Sequence, residues 1–327
     1  MTRLSALALC LVSSGLAASP ALADLKQAVE GQLTPGYAAF AKASADLAAV
    51  AEKDCSPEAV KPAWNAAYDA WLAVSFIHIG PAEQEGRSLA IHFWPDPKGL
   101  GVKAQRGLLT GEAAALEPAA FADQSVAARG LMGLERLLYP VEPLEGDACP
   151  LIRATANDLA RMADQINAEW PDFAKALLTA GEPGNTTFLT GKEALQAMFT
   201  QLATGMESVS DQQLGRPLGT FDKPRPERAE SRASARSQQN VALMLGALRA
   251  FSADLDANAV QTLAGLDRAI ELAEKLDDPD FSGVANVQGH LKVEIVQQTV
   301  RGARDTLIAE MAPALGVDLG FNSQDGD

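Results

Sequence analysis

Apolar residues recur at three- and four-residue spacing along nearly the whole of this 327-residue chain, a period that amphipathic helices produce and strands do not. The pattern runs over Leu25 to Ala51, Ser56 to about Ile77, Ser125 to Leu138, Leu151 to Ala168, Gly191 to Leu214, Ser237 to Leu255, Ala257 to Leu276, and Gly289 to Leu315. Composition agrees: alanine and leucine dominate, aromatics are 6%, and β-branched runs are nearly absent. The expected fold class is all-α, with no sheet of consequence. Start signals support the boundaries: Ser56-Pro57-Glu58 sets a capping residue before a proline, and Asp54, Asp123 and Ser282 stand at similar places.

Two long connections break this regularity, Gly80 to Gly101 and Gly215 to Arg228. Each follows a long helical pattern and leads into a similar string, Leu131-Met132-Gly133-Leu134-Glu135-Arg136 in one half and Met244-Leu245-Gly246-Ala247-Leu248-Arg249 in the other. The expectation is two related helical bundles, a duplicated up-down bundle over 24–180 and 181–327, with a seam where Trp170-Pro171 and Gly181 to Gly184 interrupt the pattern. A single bundle with long loops is the alternative.

The first 23 residues pair a basic start with an apolar run and then Ala21-Leu22-Ala23, the small-x-small pattern of an export signal. Cleavage after Ala23 would release a periplasmic protein; Cys10 lies inside the apolar run behind Leu9, which is too large for a lipid-attachment motif. Cys55 and Cys149 then remain, each in a turn-like context before a helical pattern, where one disulfide would tie two helix starts together; two unpaired thiols are the alternative. Formal charge is 27 − 42 = −15, which argues against nucleic acid as a partner and suits cationic ligands or metal ions. Nothing after residue 23 is apolar for long enough to span a membrane.

Standard catalytic signatures are missing: no His-Glu-x-x-His, no Gly-x-Ser-x-Gly, no phosphate-binding loop and no dinucleotide glycine fingerprint. With Cys55 and Cys149 paired, a Cys/His nucleophile is excluded too. The first long connection nevertheless gathers Glu83, Arg87, His92, Trp94 and Asp96, a cation, carboxylates, an imidazole and a large aromatic on one glycine- and proline-shaped segment, the usual make-up of a binding loop. A loop packed over a bundle end, anchored by Trp94, is the bland reading. His78 reads as a buried, satisfied histidine, and His290 with Glu294 as a solvated helix face whose four-residue spacing is also compatible with metal.

The string from Ala128 to Tyr139 resembles the Gly-x-His-x-x-Glu helix of the imelysin family. Gly130 and Glu135 match, whereas the family histidine falls on Met132, a thioether that suits zinc or ferric iron badly. Trp64, Trp71, Ile79-Gly80-Pro81, Gly86-Arg87, Phe93-Trp94-Pro95, Glu230-Ser231 and Ser234 resemble other blocks of that family, in order along the chain. The resemblance implies two helical bundles with a site between them, export, a link to iron regulation, and a former classification as peptidases. It carries the ligand-binding expectation onto Arg87, His92, Trp94, Asp96, Glu135, Glu230, Ser231 and Ser234, with Glu135 and His92 as metal candidates and an iron or other metal ion as the cofactor in view. An envelope protein of an iron-uptake system is the expected partner. A metal-dependent peptidase using Glu135, weakened by Met132, and an interaction module docking through residues 83 to 96 are the alternatives.

Overall fold

The computed structural model describes residues 20–318. The export signal read over 1–23 lies outside the described residues, apart from the backbone of 20–23, which opens the first helix. The helices are α1 (Pro20–Gln27), α2 (Thr34–Lys53), α3 (Pro57–Leu72), α4 (Arg87–Ile91), α5 (Leu100–Leu109), α6 (Pro118–Ala122), α7 (Gly130–Leu138), α8 (Cys149–Leu178), α9 (Gly191–Glu207), α10 (Gly215–Leu218), α11 (Ser237–Leu255), α12 (Val260–Glu274) and α13 (Val287–Leu315). No strand occurs among the described residues; one isolated bridge joins Thr220 and Lys223.

Contacts sort the long helices into two groups. α2 packs along α3 and α8, and α7 closes that group against α3 and α8. α13 packs along α12 and α9, and α11 closes the second group against α9 and α12. Between the groups, α3 and α1 meet α11 while α8 meets α9. The apolar faces that the period specifies fill these interiors, with Trp64, Tyr68, Phe40 and Trp170 in the first and Phe199, Phe251 and Phe281 in the second, all fully buried.

Three local departures from sequence expectation have physical causes. α8 runs through Trp170-Pro171 to Leu178 instead of stopping at Ala168. The Trp170 indole donates to Thr34 Oγ1 at 2.9 Å and packs on Tyr37 and Phe173, and this tertiary anchoring outweighs the one backbone bond that a proline removes. α3 ends at Leu72, so His78 lies beyond it, half-exposed and not buried, with its ring Nδ1 3.2 Å from Glu83. Ser56 occupies the N-cap of α3 but its hydroxyl accepts nothing there; Asp54 Oδ1 instead receives the Ser56 N–H. The Cys55–Cys149 disulfide joins the starts of α3 and α8, with Cα atoms 5.4 Å apart.

Candidate functional site

The segments before α4 and before α11 turn sharply enough to return side chains to the seam between the groups. Gly80 and Gly86 supply left-handed backbone in the first. In the second, Ser231 (φ 49°) and Ala235 (φ 56°) adopt it without being glycine, at a cost of about 1–2 kcal/mol each. The backbone N–H of Arg236 closes the turn on Ser231 O, and Ser237 Oγ donates to Glu230 O at 2.6 Å. Glu230 and Ser231 are thereby driven inward and fully buried.

Three side chains from the first group meet them. Tyr68 of α3 places its hydroxyl 2.7 Å from His92 Nε2, 2.9 Å from Glu230 Oε1, 2.8 Å from Ser231 Oγ and 3.5 Å from Met132 Sδ of α7. His92 Nε2 also lies 2.7 Å from Glu230 Oε1, and Gln213 donates to Glu230 Oε2 at 2.6 Å. One proton assignment satisfies this set: His92 Nε2–H and the Tyr68 O–H both donate to Glu230, and Ser231 donates to the phenol oxygen. Nearby, Glu135 Oε1 accepts the Ser234 N–H at 3.1 Å and its O–H at 2.7 Å, a second bond between the two groups. Arg236 stacks over Tyr68 and Trp64 and pairs with Asp69 and Asn65 of α3.

The two carboxylates are tuned in opposite directions. Burial would raise Glu230, but the hydrogen bond and charge of His92, with Gln213 and Tyr68, outweigh it and hold the carboxyl below its ordinary value. Burial raises Glu135, and the Ser234 bonds offset this only partly, while the Glu230 charge adds to it. Burial, followed by the charges of Glu230 and Glu135, pushes the Tyr68 phenol well up, so it stays protonated as a donor.

Two cavities flank the cluster, separated by Trp94 and Pro95, which line both. One, of about 620 Å³, reaches His92, Glu230 and Gln213; the other, of about 780 Å³, reaches Met132, Glu135, Ser231 and Asp96, and Arg216 and Arg228 line it too. Arg216 lies over the Trp94 ring, and neither Arg216 nor Arg228 has a carboxylate within ion-pair distance among the described residues.

Of the residues picked out in the sequence, His92, Glu230, Ser231, Ser234 and Glu135 come together in this seam, and Trp94 and Asp96 border it. The Asp96 carboxylate is occupied in accepting the N–H groups of Leu100 and Gly101, capping α5. Arg87 turns away: it forks onto Glu169 of α8 and donates to Pro81 O, lining neither cavity. His290 is buried, unlike the expected solvated face, with its ring edge-on to Phe221. Sequence reasoning passed over Tyr68, Gln213 and Arg236; a tyrosine on the buried face of α3, between Trp64 and Trp71, was the available signal, because a buried phenol needs a partner.

Fold and site define an all-helical protein whose two helix groups clamp a buried imidazole–phenol–carboxylate cluster at their seam. The family model of imelysin (peptidase M75) matches residues 33–307, and the chain belongs to that family. It is 25% identical over 285 residues to iron-regulated protein A of Synechococcus elongatus, covering 78% of this chain and 74% of that one. Among solved structures it resembles an imelysin-like protein of Psychrobacter arcticum (TM-score 0.79, 19% identity, 95% of this chain and all of that one). It also resembles a putative iron-regulated protein A precursor of Parabacteroides distasonis (TM-score 0.62, 12% identity, 91% of this chain and 97% of that one).

Proposed function

We propose that this imelysin-family chain is an exported protein that binds a small anionic ligand, in an iron-related role, in the cleft beneath Trp94 between its two helix groups. The observation that carries this reading is that Arg216 and Arg228 line a cavity of about 780 Å³ without carboxylate partners among the described residues, although the chain as a whole carries −15. Relatives named iron-regulated protein A, one of them a precursor, support the iron context and export. Among the described residues no helix is long and apolar enough to cross a membrane.

A bare metal ion fits the seam poorly. Among the described residues no three His, Cys, Asp or Glu side chains gather closely enough to hold one, His92 Nε2 is spent on Glu230, and Met132 gives its helix face a thioether beside one carboxylate. A metal would enter with donors of its own, as an anionic chelate between the arginines and Trp94. Titrating chelator-free protein calorimetrically with ferric citrate, haem, iron, copper and zinc tests this. The expected result is saturable binding of an anionic complex that Arg216→Gln weakens; absence of affinity for every one of these probes would overturn it.

A further inference from the structure

A third cavity, of about 510 Å³, opens beside the seam cleft and shares only Val141 and Ala233 with it. Its walls are Val102 and Leu109 of α5 on one side and Tyr139, Pro140, Pro143 and Leu144 beyond α7 on the other. Such a volume between a phenol ring, flat proline faces and aliphatic side chains suits a one- or two-ring molecule.

Two arginines give this apolar pocket a charge preference. Arg136 of α7 is mostly buried, donates from Nε to Gln105 Oε1 at 3.1 Å and from Nη2 to Ala127 O, and among the described residues has no carboxylate within ion-pair distance. Its guanidinium is thus held by neutral oxygens alone, and no hydrogen bond of Nη1 occurs among the described residues. Burial lowers its pKa, with only the charges of Asp96 and Glu135 working the other way. A desolvated cation in that state is completed by an anion. Arg106 of α5 lines the same pocket and also lacks a carboxylate partner among the described residues. Glu142 and Glu145 stand on the lining, paired with neither arginine, and would repel a second negative charge.

We propose that this pocket binds an aryl monocarboxylate, its ring between α5 and the Tyr139–Leu144 segment and its carboxylate on Arg106 and Arg136. The site is independent of the seam cleft and does not need the reading given for that cleft.

Calorimetry on the mature chain with 2-naphthoate, and with 2-naphthamide as its uncharged counterpart, tests the assignment. One naphthoate per chain is expected, with the amide weaker by about tenfold or more, the scale of a charge-assisted hydrogen bond. Arg136 also ties α5 to the segment before α7, so its replacement risks the fold. The exposed Arg106 carries the test: Arg106→Gln is expected to weaken naphthoate about tenfold and Arg106→Lys less, while Val102→Trp, filling the pocket from its rim, abolishes binding. Equal affinity for acid and amide, no binding of naphthoate, or full affinity in Arg106→Gln would overturn the proposal. So would a loss seen in Arg216→Gln but not in Arg106→Gln, which would place the ligand in the seam cleft.

Discussion

Glu135 and Glu230 lie in the same seam, yet folding moves their proton affinities apart, and stability should record that. Glu230 is held below the ordinary 4.5, so its contribution is present above pH 4.5 and fades as pH falls through the lowered value. Glu230→Gln removes a buried, paired charge and leaves His92 facing an amide; a loss of about 3 kcal/mol is expected in urea melts at pH 7, shrinking toward pH 4. Glu135 is raised, so what it contributes is fully present below pH 4.5 and is lost as pH rises through its elevated value. Glu135→Gln keeps an oxygen for Ser234, and the variant should gain on wild type as pH climbs from 4.5 to 8. Melts in which both variants shift the same way with pH would contradict this assignment. The residue types were legible in the sequence; their tuning was not. Nothing along the chain announces that Ser231 and Ala235 take left-handed backbone, and Arg87, chosen for its charge, is drawn off by Glu169, 82 positions away.

Element boundaries follow the same logic. The apolar period specified the long helices, because each buries one face and periodicity measures that face directly. It missed where helices end: at Trp170-Pro171 indole packing carries α8 onward, and at Leu72 α3 gives way to turns closed by the Val74 N–H on Trp71 O and the Ile77 N–H on Val74 O, short of Ile77. The glycine of the family-like string has a role only the packing reveals. Gly130 begins α7 at φ +65°, and a Cβ there would stand 2.1 Å from Ala90 O and 2.3 Å from Ile91 O, the end of α4 that delivers His92. Gly130→Ala should therefore cost about 3 kcal/mol or more and separate His92 from the seam. Gly86, at φ +67°, where an added Cβ would meet nothing within 4 Å among the described residues, has the backbone requirement alone, and Gly86→Ala should cost about 1 kcal/mol. Thermal melts of the two variants check the contrast; equal losses would mean that close approach is not what Gly130 provides.

At the scale of the molecule, two devices hold long stretches of chain together. The Cys55–Cys149 bridge spans 94 positions within the first helix group, and the paired Cys55→Ser and Cys149→Ser change should lower stability by about 4 kcal/mol under oxidising conditions, with little further effect of reductant. Melts with and without reductant give both numbers. The seam cluster does the corresponding work between the groups, and the ligand reading depends on it, since its side chains line both seam cavities: His92, Glu230 and Gln213 the one, Met132, Glu135 and Ser231 the other. Its most direct test is a double-mutant cycle on the bond between Tyr68 and Glu230, which are 162 positions apart and belong to different groups. Urea unfolding of wild type, Tyr68→Phe, Glu230→Gln and the double variant should show coupling of about 1–3 kcal/mol. Losses that add to within about 0.3 kcal/mol would contradict a shared cluster at the seam.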